Sequence, residues 1–140
     1  MMLTPLQRRA IGYWAPTTVV VVALVFSGLS NLARTTHMTE GLAHLGYPTY
    51  LTSILGAWKV LGAAALMAPG LPRLKEWAYA GIFFDLTSAV VSHAVVHDGA
   101  GQVIPPLALT VATLVSWALR PDGRRLPAVA PARGRLPTRA

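Results

Sequence analysis

Residues 51–68 read Leu-Thr-Ser-Ile-Leu-Gly-Ala-Trp-Lys-Val-Leu-Gly-Ala-Ala-Ala-Leu-Met-Ala. Residues 77–96 read Trp-Ala-Tyr-Ala-Gly-Ile-Phe-Phe-Asp-Leu-Thr-Ser-Ala-Val-Val-Ser-His-Ala-Val-Val. Each run carries a single formal charge near its middle, Lys59 in the first and Asp85 in the second. At 1.5 Å rise per residue a helix of roughly 17 to 20 residues nearly matches a hydrocarbon core of about 30 Å. An ionisable group at that depth is costly unless it is paired or used. The alternation that transmembrane strands of about ten residues would need is absent. Helices remain.

Two further apolar runs extend the pattern. Residues 16–33 hold the dense stretch from Thr17 to Phe26, and residues 103–119 close on Arg120-Pro121. The expectation is an all-α, four-helix transmembrane bundle with spans at about 16–33, 51–68, 77–96 and 103–119, inside a membrane domain 1–122. The chain is 54% hydrophobic and 12% charged, with mean hydropathy +0.50, too apolar for an ordinary soluble domain. No cysteine is present, which removes disulfides, thiolate metal sites and cysteine nucleophiles. Residues 123–140 are rich in proline and arginine with little to build a core, and are expected to be a disordered basic tail.

The net charge of +7 would suggest nucleic acid in a soluble protein, but six of the ten arginines lie from Arg120 onward. The lipid bilayer is therefore the expected counterpart, and nucleic acid is not. Arg8 and Arg9 precede the first span, Arg73 and Lys75 separate the second and third, and Arg120, Arg124 and Arg125 follow the fourth. The positive-inside rule then puts both termini in the cytoplasm, for a multi-pass protein of the cytoplasmic (inner) membrane. Trp14, Tyr50, Trp77, Tyr79 and Trp117 stand near span ends, as interface anchors do. A signal peptide with Arg8 and Arg9 as its basic region is the competing reading of the first span, but Asn31-Leu32-Ala33 is a poor cleavage site.

Between the first two spans, residues 36–45 could form a short helix with Thr36 as N-cap and Gly46 as its stop. Gly46 is expected at positive φ, with Pro48 restricting the chain ahead of the second span.

Depth arithmetic brings the two charges together. Lys59 lies eight residues from one end of its span and Asp85 eight from the opposite end of the next, so their depths differ by about 6 Å, within reach of a lysine stem. An ion pair inside the bundle is expected, either as a lock on helix packing or as a group that handles a proton or substrate. Asp85, Ser88 and Ser92 share a helical face, with His93 about 80° round from Asp85. Gly56 and Gly62 flank Lys59 and would admit another backbone; they also offer a face for a homodimer. Asn31 and Arg34 at the end of the first span, with Tyr47 as a cap, complete a candidate cavity with Lys59, Asp85, Ser88, Ser92, His93 and His97. His93 and His97 at i, i+4 could face one ligand. His37, Glu40 and His44 on the short helix are the weaker candidates for zinc, copper or iron, and haem ligation by histidine is chemically reasonable.

Leu45-Gly46-Tyr47-Pro48, Gly56-Ala57-Trp58-Lys59, Lys75-Glu76-Trp77-Ala78-Tyr79-Ala80-Gly81 and Ser92-His93 resemble, in pattern and order, the DoxX-like small membrane proteins over about residues 28–119. The resemblance implies a four-helix bundle and leaves the activity open. Relatives include subunits tied to quinone-reducing thiosulfate oxidation, redox-linked membrane complexes and a receptor-assembly chaperone branch. Two functions follow. One is an accessory subunit, in a homodimer or a membrane complex, that binds a lipophilic, quinone-like molecule. The other is a small membrane enzyme, an isomerase or quinone-linked oxidoreductase, in which Lys59, Asp85 and His93 transfer protons, with haem or a metal as a further option. No nucleotide loop, nucleophile elbow or zinc-protease motif occurs.

Overall fold

The computed structural model describes residues 4–126. Its helices are α1 (Pro5–Leu32), α2 (Thr36–His44), α3 (Leu51–Met67), α4 (Pro72–Val95) and α5 (Ala100–Ala118), followed by a 3₁₀ turn at Asp122–Arg124. Three of them, α1, α4 and α5, are long and apolar enough to cross a membrane, and α3 is a shorter apolar helix of 17 residues.

α1 begins well before the expected span. Thr4 and Gln7 form a reciprocal capping box and Pro5 occupies the first turn, which together satisfy the first exposed amides. The helix then runs through Pro16, whose missing N–H leaves the Gly12 carbonyl without its helical donor. α4 also starts early, at Pro72. Gly70 and Leu71 both take positive φ (63° and 52°) and turn the chain from α3 directly into it.

α1 contacts α3 and α5, and α4 contacts the same two, so the four long helices form a closed ring in which each packs on two neighbours. Gly12 abuts Leu119, and Arg124 reaches Tyr13. The start of α1 and the end of α5 therefore share one end of the bundle, here the basic end. The loops that carry the histidines occupy the other.

The tightest joint is between α1 and α3. A Cβ on Gly56 would lie 2.8 Å from the Gly28 carbonyl oxygen and 2.9 Å from the Leu32 amide nitrogen. Two backbones meet there, as small residues allow between membrane helices. Gly56 thus faces α1, and Gly62 lies against Ile82 of α4. The joint with α1 takes up Gly56, whereas Gly62 stays half-buried beside α4, so of the two glycines expected at a dimer face only Gly56 is closed off inside the chain.

The core is small: Val20, Leu24, Ala63, Leu66, Tyr79, Ile82 and Leu86. Outside it, Phe26, Trp58, Trp77, Phe84 and Val95 are each at least 65% exposed. Only 17–22% of the residues in the three span windows are buried. A surface this apolar calls for hydrocarbon around it rather than water.

α2 begins at Thr36, with Thr35 in the N-cap position and no side-chain cap bond; Thr36 was expected as the cap. Gly46 has φ +82° as the turn requires. Its N–H donates to Ala43 O (3.0 Å) and that of Tyr47 to Leu42 O (2.9 Å), the paired bonds of a Schellman ending.

Candidate functional site

Lys59 and Asp85 sit on the flanks of the buried stripes of α3 and α4. Gly56 and Ala63 bracket Lys59 on its helix, and Ile82 and Leu86 bracket Asp85. Helical geometry aims both side chains at the seam between the two helices. Lys59 Nζ stands 3.7 Å from Asp85 Oδ2, and the two side chains keep about a fifth of their surface, 20% and 22%. The contact is too long for a hydrogen bond. Among the described residues neither group has another side-chain partner.

The pair opens onto a groove of about 550 Å³ between α3 and α4, with Leu24 of α1 also lining it. Lys59, Asp85 and Ser88 are its polar groups, and Trp58, Leu74, Trp77 and Phe84 are among its apolar walls. The volume suits a drug-sized ligand, and a mostly apolar lining with a few convergent polar atoms is what small-molecule sites share. The groove can hold an apolar body and offer its head both donors (Lys59, Ser88) and an acceptor (Asp85).

The other expected cavity residues go elsewhere. α4 ends at Val95, and His97 takes positive φ (59°). Its N–H donates to Ala94 O (3.1 Å) and that of Asp98 to His93 O (2.9 Å), so His97 closes a second Schellman ending. The i, i+4 relation between His93 and His97 therefore fails, since the helix stops before His97. Arg34 does the same for α1, at φ 50°, with its N–H on Asn31 O (3.0 Å) and that of Thr35 on Ser30 O (3.2 Å). Asn31 is buried, with its Oδ1 unpartnered. Ser92 Oγ bonds Tyr47 OH at 2.9 Å, which ties the α2–α3 loop to α4.

Residues 15–116 match the family described as the DoxX-like family. The chain belongs to that family. No curated protein and no solved structure matches it.

His93 of this DoxX-like membrane protein is held by Asp98, some 12 Å along the axis from the Lys59–Asp85 level. Its Nδ1 lies 2.6 Å from Asp98 Oδ2, and His44 Nε2 lies 2.8 Å from Asp98 Oδ1. An ionised carboxylate only accepts, so each of these ring nitrogens carries the hydrogen. The two bonds, from His93 first and then from His44, hold the Asp98 carboxyl below its usual 3.8, against the upward push of burial. His44 is drawn to Asp98 rather than to His37 and Glu40, both exposed. No group of three or more His, Asp or Glu residues among the described ones is arranged to hold a metal ion, so the His37–Glu40–His44 set does not form.

The basic end holds polar groups that the sequence reading passed over. Tyr79 OH, Ser116 Oγ and Thr17 Oγ1 follow one another at 2.7 and 2.6 Å, and Thr17 Oγ1 reaches Tyr13 O at 2.5 Å. One assignment satisfies every link: Tyr79 donates to Ser116, Ser116 to Thr17, and Thr17 to the Tyr13 carbonyl. Lys75 is fully buried. Its ammonium donates to the α3 carbonyls of Ala65 (2.8 Å) and Leu66 (3.3 Å) and also to that of Ala68. A cation here meets the negative end of the α3 dipole and its unpaired carbonyls together. Arg120 Nη2 bonds Glu76 Oε1 at 2.7 Å, a closer ion pair than Lys59–Asp85 and one whose arginine is buried. The usable signal was the spacing Lys75, Tyr79, Ile82, Leu86, one continuous helical stripe that carries Lys75 into the core.

Proposed function

We propose that this DoxX-like protein is a four-span accessory subunit of the cytoplasmic membrane, with both termini in the cytoplasm, that holds a lipophilic, quinone-like molecule in the α3–α4 groove. The observation that carries the reading is the open pair: Lys59 and Asp85 stand at 3.7 Å with no other side-chain partner, facing a 550 Å³ apolar groove. Two charges in hydrocarbon with unused donors and acceptors are stabilised by a ligand that supplies the missing bonds. A carbonyl on the ligand head accepts from Lys59 or Ser88, and a hydroxyl donates to Asp85. The apolar tail lies along Leu74, Trp77 and Phe84. The gathering of Arg8, Arg9, Arg73, Arg124 and Arg125 at one end supports the orientation.

The test is an absorption spectrum and mass spectrometry of organic extracts from the protein purified in mild detergent. A stoichiometric lipophilic molecule that disappears in Asp85→Asn or Lys59→Met supports the reading. Ordinary phospholipid alone, unchanged by either substitution, overturns it. A Soret band would instead move attention to haem and the histidines.

A further inference from the structure

The basic end carries more positive charge than its carboxylates can answer. Leu66 O accepts from both Lys75 Nζ (3.3 Å) and Arg124 Nη1 (2.9 Å), so these two cations stand no more than about 6 Å apart, a spacing at which like charges repel appreciably. Neither has a carboxylate partner among the described residues; both are held by backbone carbonyls and, for Arg124, by Tyr13 OH at 3.2 Å. Glu76 is already committed, accepting from Arg120 Nη2 (2.7 Å) and Trp117 Nε1 (2.9 Å). Arg120 is 3% exposed, and its Nη1 has no partner. Among the described residues Arg125 donates only to the carbonyls of Arg120 and Ala118. Asp122 is exposed.

More cations stand at the rim. Arg9 lies one turn before Tyr13, on the same face of α1, and is exposed. Its level is fixed by two tryptophans. The Arg124 guanidinium packs 4.9 Å from the Trp14 ring centre and that of Arg120 5.4 Å from Trp117, and both rings are 40% or more exposed. Exposed tryptophans at the ends of apolar helices mark the headgroup layer of a bilayer. A cluster of under-compensated cations at that depth meets lipid phosphates first.

We propose that the basic end of the bundle is a binding site for the phosphate of an anionic phospholipid, seated between Arg9, Arg124 and Arg125. The phosphate answers the charge that Glu76 cannot, and the acyl chains lie on the exposed apolar flank beside Trp14. This site is separate from the α3–α4 groove, at the opposite end of α1 from the His44–Asp98 contact.

The experiment reconstitutes the full chain in phosphatidylcholine vesicles holding a fraction of brominated phosphatidylglycerol or, in parallel, brominated phosphatidylcholine, and reads tryptophan quenching. A preference for phosphatidylglycerol is expected, falling roughly fivefold in Arg9→Gln, the scale of one basic residue at an anionic surface, and shrinking at high salt. Arg9 makes no bond within the described fold, so its variant isolates lipid binding, whereas Arg124→Gln would also disturb Tyr13 and Leu66. Equal quenching by both lipids overturns the proposal, as does a preference unchanged in both Arg9→Gln and Arg125→Gln. Loss of the preference on adding millimolar inorganic phosphate at constant ionic strength would reassign the site to a soluble anion and overturn the lipid assignment.

Discussion

Lys59 and Asp85 pair across the α3–α4 seam at 3.7 Å, while each keeps about a fifth of its side chain open to the groove. Removing one charge strands the other in an apolar setting. Asp85→Asn is therefore expected to destabilise the bundle by on the order of 3 kcal/mol. Combining it with Lys59→Met should recover much of that loss while abolishing ligand retention. Thermal unfolding of the single and double variants in one detergent checks the coupling; additive losses would mean that the charges are independent.

Gly56 and Gly62 separate contact from spacing. Gly56→Ala drives a Cβ to 2.8 Å from the Gly28 carbonyl, so α1 and α3 must part, at a cost of about 1–3 kcal/mol. Gly62→Ala meets Ile82 at 3.5 Å, an ordinary contact, and gains helix propensity of up to about 1 kcal/mol. The first substitution should lower the melting temperature and the second leave it level or raise it.

Lys75 closes the end of α3. Lys75→Met leaves the carbonyls of Ala65 and Ala68 without this donor, while Leu66 O keeps Arg124 Nη1, and unsatisfied buried acceptors cost roughly 1–3 kcal/mol. Hydrogen exchange should report earlier opening at the C-terminal turn of α3, with the α1–α3 joint at Gly28 and Gly56 still protected.

Asp98 sets a pH dependence. Its carboxyl titrates below 3.8 in the folded chain, because His93 and His44 donate to its charged form. A depressed folded value means that its stabilisation is complete above the ordinary aspartate range and lost as pH falls through the depressed value. Asp98→Asn should therefore melt lower than the parent between about pH 5 and 7, and the gap should close below about pH 4. A gap that persists at the acid end would show that the imidazole bonds do not depend on the charge.

Much of the architecture could be read from residue order, because apolar runs of bilayer length admit few arrangements. The Lys59–Asp85 contact followed from depth alone. The histidine contacts did not, for a local reason: the third span was expected to end near Val96, but His97 takes the left-handed conformation that usually signals glycine or asparagine, so nothing in the chain marked it as the turn that follows. Once the helix stops there, the backbone turns Asp98 toward His93 and His44. The Thr17–Ser116–Tyr79 chain was hidden in another way. Hydroxyl residues are common within membrane helices, and only packing shows which of them meet. Arg124 and Arg125, expected in a disordered tail, pack onto the bundle through Tyr13, Trp14 and the Arg120 carbonyl; residues 127–140 lie outside the described region.

The lysine cap on α3 has a mechanical corollary. With 17 residues, α3 measures about 25 Å, whereas the 24 residues of α4 measure about 36 Å. Lys75 supplies donors to the last carbonyls of the shorter helix, so these need no water. One flank of the bundle is consequently thinner than its neighbour by about two helical turns. Lipid beside the groove must shorten or tilt to match it.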